Sequence, residues 1–292
     1  MTQKNAKIDL SVFGHVNIDE YLKVPKIPSF GSINIIKKET FLGGTAANIA
    51  KISAMLGLSV ELYSVVSRTF PKKYITFLKA IGVNVENIVI DLNISHGPTC
   101  YIVSDGKKQV AYIDQGPMEN MQNFKVKNLP RGNWIHFATG NPEVYIKVLK
   151  NHNFKRPKIT FDPGQELTYK YNSANLLEFL NAAELTIMNE KEFEAAKKMI
   201  GIKPLKNAKN IIITRGEKGC TYFTKSINIK QSSVYSGDTT GSGDAFRAGL
   251  YFCLKNRYTI TEACKIANKV AGIVIKHGIY NIDSKTLLSE LY

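Results

Sequence analysis

Short apolar runs alternate with longer amphipathic segments along most of this 292-residue chain. The short runs have the length and composition of buried strands, whereas the longer segments repeat their apolar residues at helical spacing. A chain that alternates in this way is expected to form an α/β fold, a mostly parallel sheet flanked by helices on both faces. The predicted strands cover residues 8–14, 60–66, 134–139, 157–162, 183–189 and 210–216. The predicted helices cover residues 45–57, 142–152, 189–201, 243–256 and 260–278.

Two further segments, residues 20–40 and 97–114, are strand-like but fall outside the alternation. Turn signals such as Asp105-Gly106 divide them into shorter runs, which predicts a small antiparallel sheet apart from the large one. This sheet can act as a lid over a binding site, or it can be an edge extension or the contact surface of a homodimer, and the sequence favours neither use. We therefore expect a single α/β domain over residues 1–292, with lid strands from these two segments.

The composition is that of an ordinary globular protein, with 44% hydrophobic and 22% charged residues. The N-terminal residues contain no apolar run of signal-peptide length, and no apolar stretch is long enough to span a membrane. We expect a cytoplasmic protein without a membrane partner. The four cysteines are far apart and form no CxxC pair, which argues against a zinc site and against a disulfide framework. They are Cys100, Cys220, Cys253 and Cys264.

The chain is basic, because 39 lysines and arginines exceed 24 aspartates and glutamates and give a formal net charge of +15. A nucleic-acid partner would require a basic stripe or a motif with interleaved aromatic residues. The lysines are instead spread along the whole chain, so no nucleic-acid partner is expected. The positive charge would still attract a polyphosphate toward a cleft by long-range steering.

The segment SGDTTGSGDAF, residues 236–246, places glycines where a predicted helix has to begin. Glycine weakens a helix start, so its presence there indicates that a ligand approaches the backbone closely. The amides of Gly241, Ser242 and Gly243 lack carbonyl partners at a helix N-terminus and can hold a phosphoryl group. Asp244 beside them is either a helix cap or a general base that accepts a proton from an attacking hydroxyl. The segment matches neither a Walker A loop nor a dinucleotide fingerprint.

DTTGSGDAF resembles the C-terminal signature of the ribokinase-like, or PfkB, family of small-molecule kinases. The resemblance extends over nearly the whole chain, because further segments are similar to that family's motifs in the same order. These segments are GHVNIDE (14–20), FLGGTAANIA (41–50), NEKE (189–192), TRGEKG (214–219) and AN (267–268). The resemblance implies a ribokinase-like fold and a Mg²⁺-dependent transfer of the γ-phosphate of ATP to an alcohol.

The resemblance also implies a role for individual residues. Asp244 would be the general base, and the amides of Gly241, Ser242 and Gly243 would form an anion hole. The implied substrate-binding residues are Asn17, Asp19, Gly43, Gly44, Asn48, Asp162 and Gln165, and the implied nucleotide-binding residues are Asn189, Thr214, Gly216, Gly219 and Asn268. Glu192 would approach Mg²⁺ through water, and Asp238 with Thr240 would form part of a K⁺ site. Turn or capping roles are the alternatives for Asp19, Glu192, Asp238 and Thr240.

Three less specific segments, ATGNPE (138–143), AYIDQGPM (111–118) and DPGQ (162–165), are similar to the archaeal and microbial nucleoside-kinase branch of that family. They imply a ribonucleoside as the acceptor, phosphorylated at its 5′-hydroxyl. A ribokinase or another carbohydrate kinase is the first alternative, and a non-catalytic nucleotide-binding regulator is the second. Arg215 stands where the family often has leucine, and it either contacts phosphate or faces solvent.

Aromatic and histidine residues give weaker signals. Tyr101, Tyr112 or Phe161 can stack on a nucleobase, although aromatic residues at strand spacing are more often part of the core. The histidines form no spacing typical of a metal site or a catalytic triad, so they are given no catalytic role. They are His15, His96, His136, His152 and His277.

Overall fold

The structure is a computed structural model that describes residues 7–126, 130–151, 157–231 and 235–292. Its strands are rich in β-branched and aromatic residues, which fit a pleated, half-buried surface. In chain order the described strands are β1 (Leu10–Phe13), β2 (Asn17–Lys23), β3 (Lys37–Gly43), β4 (Val60–Ser67), β5 (Val83–Asp91), β6 (Thr99–Ser104), β7 (Gln109–Asp114), β8 (Trp134–Phe137), β9 (Lys158–Phe161), β10 (Leu185–Asn189), β11 (Ile211–Thr214), β12 (Cys220–Tyr222) and β13 (Ile227–Ile229).

Nine of these strands form one large sheet in the order β13-β12-β11-β10-β9-β8-β1-β4-β5. All neighbouring pairs from β11 to β5 are parallel, and only the pairs that involve β12 are antiparallel. The order reverses at β1, because the chain adds β4 and β5 on one side and the strands from β8 onward on the other. Such a reversal opens a crevice at the carboxyl ends of β1 and β8, where open α/β sheets bind their ligands.

Helices cover both faces of the large sheet, as expected for strands that are apolar on both sides. The eight residues of β4 are all buried, and Phe13 of β1 stacks on Tyr63 of β4 with ring centroids 4.3 Å apart. The described helices are α1 (Thr45–Met55), α2 (Lys72–Ala80), α3 (Pro142–Asn151), α4 (Leu167–Lys170), α5 (Ser173–Ala182), α6 (Glu190–Ile200), α7 (Ile202–Asn207), α8 (Ser242–Lys255), α9 (Ile260–His277) and α10 (Ser284–Leu291).

The two faces of the large sheet have separate apolar cores. On one face, Leu10 and Val12 of β1 pack with residues of α1, α8 and α9. On the other face, Phe13 packs with residues of α3, α5 and α6. This alternation along β1 follows from the two-residue period of a strand. The predicted fold class is confirmed. Helices α1 and α8 pack on the same face of the large sheet, and α8 begins within the glycine-rich segment 236–246.

The four remaining strands form a small sheet in the order β3-β2-β6-β7. The β2–β3 and β6–β7 pairs are antiparallel, and the central β2–β6 pair is parallel. The turn predicted at Asp105-Gly106 joins β6 to β7. The segment 20–40 is likewise divided into separate strands, because no strand occurs between β2 and β3 in the described residues 24–36.

Several elements were not predicted, namely β5, β12, β13, α2, α4, α5, α7 and α10. The strand β5 lies at the edge of the large sheet, and the polar residues Asn84, Glu86 and Asn87 interrupt its sequence, which therefore lacks the apolar run of a buried strand. The predicted helix 142–152 ends at Asn151, and residue 152 lies outside the described residues. Within the described ranges, no helix combines the length and apolarity needed to cross a membrane.

Candidate active site

The first turn of α8 faces the carboxyl ends of the central strands of the large sheet. Asp162 follows β9, Asn189 ends β10 and Thr214 ends β11, and all three line one cavity of about 190 Å³ together with Gly243 and Asp244. The remaining lining residues of this cavity, which we call the central cavity, are Thr45, Ala138, Thr139, Gly164, Gln165, Glu192 and Arg247.

The start of α8 depends on a glycine in the left-handed region. Gly241 has φ 72° and ψ 0°, and a Cβ at this position would lie 2.7 Å from Cγ1 of Ile279. No described carbonyl accepts a hydrogen bond from the N–H groups of Gly241 and Gly243. The expectation of three unpartnered amides was wrong for Ser242, whose N–H donates to the carbonyl of Thr239 at 3.1 Å and closes a turn. Of the three predicted amides, those of Gly241 and Gly243 therefore have no described carbonyl partner.

Asp244 connects α8 with α1. Its Oδ2 accepts a hydrogen bond from Nδ2 of Asn48 at 2.9 Å, and its side chain does not cap α8. Burial raises the pKa of the Asp244 carboxyl to about 7, although the positive charge of Arg247 and the hydrogen bond from Asn48 oppose the increase. A carboxylate with a pKa near neutrality that is not used as a helix cap is suited to accept a proton.

Arg247 is a residue of this site that the sequence analysis did not select. Its Nε and Nη2 donate to the two carboxylate oxygens of Asp162, the second at 2.8 Å. The sequence signal was its position three residues after Asp244, because residues i and i+3 share one face of a helix. Arg247 is 8% exposed, and a buried charge between the buried apolar residues Phe246 and Ala248 indicates a specific partner.

Asn17 and Asp19 follow β1 after a short connection and lie at the start of β2. They are 7% and 5% exposed, and the Oδ1 atom of each is buried without a hydrogen-bond partner in the described residues. Burial raises the pKa of Asp19 to about 6. Two buried acceptors without donors require an explanation, and a ligand that carries hydroxyl groups would supply the missing donors.

Glycines 43 and 44 provide the space around this pair of side chains. A Cβ on Gly43 would overlap the carboxylate of Asp19. Gly43 pairs with Asn17 across β2 and β3, so Asp19 lies two residues along β2 from its partner. Gly44 has φ 93°, and a Cβ there would overlap the carbonyl oxygen of His15. Both glycines are therefore required for the approach of β3 and α1 to β2, independently of any ligand.

Tyr280 is a second residue of the site that was not predicted from the sequence. Its hydroxyl donates to Oδ2 of Asp19 at 2.8 Å, and its ring stacks on Phe41 with centroids 4.3 Å apart. The interaction joins the loop after α9 to the small sheet. Tyr280 thus holds one carboxylate oxygen of Asp19, whereas no group in the described part of the chain donates to the other.

A buried polar network links the end of β7 to the loop after β9. His15 Nε2 contacts Gln115 Oε1 at 2.5 Å, and Gln115 Nε2 donates to Glu166 Oε1 at 3.1 Å. Lys170 forms an ion pair with Glu166 at 3.1 Å. Burial lowers the pKa of His15, so the neutral ring donates from Nε2 to the amide oxygen of Gln115 and accepts from Thr139 at Nδ1. His15, which was given no catalytic role, therefore has a structural one.

A second cavity of about 470 Å³ adjoins the first, and Thr214 and Gly243 line both. We call it the outer cavity. The predicted nucleotide-binding residues Gly216, Gly219 and Asn268 line it as well. Its other lining residues are Glu217, Gln231, Tyr235, Thr239, Ser242, Phe246, Ala271, Gly272 and Ile275.

Asn189 and Glu192 form a capping box at the start of α6. Asn189 Oδ1 accepts from the N–H of Glu192 at 2.9 Å, and the Glu192 carboxylate accepts from the backbone and side-chain nitrogens of Asn189 at 2.8 and 2.6 Å. Burial raises the pKa of Glu192, and the nearby Asp162 carboxylate raises it further. The capping alternative is thus realised, although both side chains also line the central cavity.

Three other predicted residues are occupied by local contacts. Asp238 Oδ1 accepts from the N–H and the hydroxyl of Thr240 at 2.9 and 2.7 Å, which is a turn-capping arrangement. The neighbouring Gly237 lies against the carbonyl of Ile275, so a Cβ at this position would overlap the carbonyl oxygen. Arg215 donates to Glu190 at 2.8 Å and does not line either cavity.

The aromatic and histidine side chains mostly belong to the core or the surface. Phe161 is fully buried and stacks on Phe179 at 4.5 Å, so it is a core residue, whereas Tyr112 is 61% exposed. The remaining histidines contact nearby polar groups: His136 contacts Tyr251 at 2.6 Å, His96 contacts Asp114 at 2.9 Å and His277 contacts Glu290 at 2.6 Å. His152 lies outside the described residues.

The chain is similar to known proteins in sequence and in fold. The model of the pfkB family carbohydrate kinases matches residues 7–286. A nucleoside kinase of Thermoplasma acidophilum is 35% identical over 275 residues, which are 94% of this chain and 92% of that protein. The crystal structure of Methanocaldococcus jannaschii nucleoside kinase, described as an archaeal member of the ribokinase family, superposes with a TM-score of 0.85 at 27% identity over 98% of this chain and 99% of that one.

Proposed function

The chain belongs to the pfkB family of carbohydrate kinases and is therefore a phosphotransferase that acts on a hydroxyl group, and we propose that its acceptor is the 5′-hydroxyl of a ribonucleoside and its donor is ATP. The observation that carries this proposal is the position of Asp244. Its carboxylate, which is free of a capping role, lines the central cavity together with Gly243 and accepts a hydrogen bond from Asn48, one of the predicted substrate-binding residues.

The choice of a nucleoside over a free sugar is supported by the relatives. The Thermoplasma acidophilum protein at 35% identity and the Methanocaldococcus jannaschii protein at 29% identity both carry the name nucleoside kinase. The unpartnered oxygens of Asn17 and Asp19 suit the vicinal hydroxyls of a ribose. A ribonucleoside and free ribose both carry these hydroxyls, so this contact does not distinguish them. Ribokinase or another carbohydrate kinase therefore remains the alternative that an experiment has to separate.

We propose that the nucleotide lies across both cavities. The outer cavity would hold the nucleoside part of ATP, because Thr214, Gly216, Gly219 and Asn268 line or border it. The phosphate chain would pass Gly243 into the central cavity and reach the amides at the start of α8. These amides and the helix dipole stabilise negative charge at that position.

The reaction then needs little covalent chemistry from the protein. The acceptor oxygen forms a bond to the γ-phosphorus while the bond from that phosphorus to the bridging β-oxygen breaks. The hydroxyl proton passes to the carboxylate of Asp244, and the products are ADP and a nucleoside 5′-monophosphate. Orientation of the acceptor by Asn17, Asp19 and Asn48 brings its hydroxyl to Asp244, and positioning of this kind is the main source of rate in phosphoryl transfer.

The residues near the phosphate path fit a magnesium ion bound through water. In the described part of the chain, no group of three His, Cys, Asp or Glu side chains is arranged to hold a metal directly. The carboxylates of Glu192 and Asp162 already accept hydrogen bonds from Asn189 and Arg247, so they would hold Mg²⁺ through its water shell, which this ion retains readily. Bound there, Mg²⁺ would neutralise charge on the phosphates. The K⁺ site at Asp238 and Thr240 stays a prediction.

The acceptor is tested by measuring kcat/KM for adenosine, inosine, cytidine, ribose and fructose with ATP and Mg²⁺. We expect the best nucleoside to exceed ribose by about 10²-fold, because a buried base adds contacts that a free sugar lacks. Turnover of sugars alone would exclude the nucleoside proposal and leave the carbohydrate-kinase alternative. Nucleotide binding without turnover of any acceptor would favour the non-catalytic regulator.

We expect kcat/KM for the nucleoside to fall as the pH is lowered through about 7, at saturating ATP and Mg²⁺. A general base acts only when it is deprotonated, and the Asp244 pKa is raised to about 7, so activity is complete above this pH and declines below it. The decline should steepen below about pH 6, where Asp19 also becomes protonated. The Asp19→Asn variant serves as the control, because its profile should keep the decline near pH 7 and lose only the additional decline below about pH 6. A flat profile from pH 5 to 8 would contradict the role of Asp244.

We expect Asp19→Asn to raise the KM for the nucleoside by about 10- to 100-fold, with a smaller effect on kcat. The neutral amide loses charge-assisted hydrogen bonds to the ribose hydroxyls, each worth about 1.5–3 kcal/mol. Glu20→Gln is the matched control, because Glu20 is the next residue on β2 and pairs with Lys38 at the surface. An unchanged KM in Asp19→Asn would remove this residue from substrate binding.

We also propose that two copies of the chain associate through the edge strand β7. Its partner side is open at the end of the small sheet, and it exposes the apolar side chains of Val110, Tyr112 and Ile113. Sedimentation velocity should give twice the mass of one chain for the wild type and the mass of one chain for Tyr112→Lys. Tyr258→Lys, an exposed position after α8, is the control that should remain dimeric. A monomeric wild type would contradict the proposal.

The cellular location is inferred from the thiols. The four cysteines are all free, and three of them are buried. We propose that the enzyme acts in the cytoplasm, where thiols stay reduced and ATP is present.

A further inference from the structure

One nitrogen of the Arg247 guanidinium group, Nη1, has no hydrogen-bond partner among the described residues. Nε and Nη2 are bonded to Asp162, but no described atom accepts a hydrogen bond from Nη1. The Nη1 atom lies 2.8 Å from the place where a Cβ on Gly243 would stand. The absence of a side chain at Gly243 therefore leaves room for Nη1 beside the free amides at the start of α8.

The charge around the central cavity makes this nitrogen important. Three carboxylates, those of Asp162, Glu192 and Asp244, line the cavity, and of its described lining residues only Arg247 carries positive charge. A phosphate chain that enters would meet net negative charge on the protein. The unbonded side of Arg247 is the one fixed cation there that can face the incoming anion.

Asp162 fixes the direction of this group. A carboxylate that accepts two parallel hydrogen bonds from a guanidinium holds it in one plane, which a single contact to a lysine would not do. Asp162 is itself 4% exposed and follows β9 in the rigid sheet. The remaining N–H groups of Arg247 are thus aimed rather than free to rotate.

On these grounds, and given the phosphotransfer function proposed above, we propose that Arg247 is a catalytic residue that donates from Nη1 to an oxygen of the terminal phosphoryl group of ATP. Asp162 is then a positioning residue that orients the guanidinium, in addition to lining the cavity. Arg247 stays protonated throughout the transfer, so Asp244 is still the group that accepts the hydroxyl proton.

The first test compares binding of the non-hydrolysable ATP analogue AMP-PNP with binding of ADP, by calorimetry with Mg²⁺. We expect Arg247→Met to raise the Kd for AMP-PNP by about 10- to 100-fold and to leave the Kd for ADP within about threefold. Arg247→Lys should fold, because the lysine ammonium still pairs with Asp162. It should show the same selective loss of AMP-PNP affinity, because lysine has no second nitrogen that could donate to the phosphoryl group. An AMP-PNP affinity within about threefold of the wild type in both variants would overturn the proposal.

The second test separates contact with phosphate from a purely structural ion pair. The double variant Arg247→Met with Asp162→Leu removes both buried charges together, which relieves the cost of leaving either one unpaired. We expect kcat/KM to stay about 10²-fold below the wild type in this double variant. Recovery to the wild-type value would show that Arg247 only neutralises Asp162 and would overturn the proposal.

The outcome for Arg247 can be distinguished from the outcome for the enzyme as a whole. Failure of the wild type to phosphorylate any nucleoside or sugar would refute the proposed function. The AMP-PNP and ADP measurements need no acceptor, so they decide the contact of Arg247 independently. An active wild type whose Arg247 variants keep their AMP-PNP affinity would refute only the inference.

Discussion

Substitution of Asp244 by asparagine is expected to lower kcat for the nucleoside by about 10²- to 10⁴-fold, which is the usual contribution of a general base. The amide has nearly the same shape, so it can still contact Asn48, but it cannot accept the hydroxyl proton. Nucleotide affinity should change little, because the carboxylate faces the acceptor rather than the outer cavity. Steady-state kinetics with the best nucleoside, together with the Kd for ADP, measures both quantities.

The matched control for this variant is Glu190→Gln. Glu190 is an acidic residue at the start of α6 whose exposed carboxylate pairs with Arg215, outside both cavities. We expect its kcat to stay within about twofold of the wild type, since a surface ion pair contributes little. An Asp244→Asn enzyme that keeps more than about a tenth of the wild-type turnover would show that another group accepts the proton.

The second large effect concerns stability. Asp162→Ala is expected to lower the free energy of unfolding by about 3–5 kcal/mol, because it leaves the guanidinium of Arg247 buried without its bidentate partner. The nearby carboxylates of Asp244 and Glu192 compensate in part, so we expect the lower end of this range. Urea unfolding followed by circular dichroism measures the change as a shift of the midpoint at constant m-value.

The double variant Asp162→Leu with Arg247→Met should recover most of this loss, because apolar side chains of similar size can replace a buried ion pair. Lys150→Ala, which removes an exposed ion pair with Glu178, is the control and should change stability by less than about 1 kcal/mol. Equal stability of Asp162→Ala and the wild type would mean that the Arg247 charge is solvated rather than buried.

The large sheet could be predicted from the sequence because its strands carry their own signal. The apolar runs that became β1, β4 and β8 are buried on both faces, and such strands read as continuous hydrophobic segments. Edge strands lack this signal, which explains why β5 was missed. The start of β2 was also missed, since this strand begins at Asn17, before residue 20, where the small-sheet segment was predicted to begin.

Residues of the candidate site could likewise be predicted only where their signal is local in the sequence. Asp244 and the glycines were found because they occur together in one segment, at a helix start whose chemistry is local. Arg247 and Tyr280 were missed because their partners lie 85 and 261 residues away in the chain, at Asp162 and Asp19. The turn that uses the Ser242 amide could not be predicted either, because it depends on the backbone angles of Gly241.

Phosphorus NMR of a mixture of ATP, Mg²⁺, inosine and the wild-type protein tests the central claim most directly. We predict that the γ-phosphate resonance of ATP decays while ADP and a new phosphomonoester appear in equal amounts, with the phosphorus coupled to the two 5′-methylene protons of the ribose. Adenosine and cytidine are run in parallel to cover a different base preference. A phosphoryl group on another hydroxyl, or free inorganic phosphate in place of the ester with all three nucleosides, would contradict the claim.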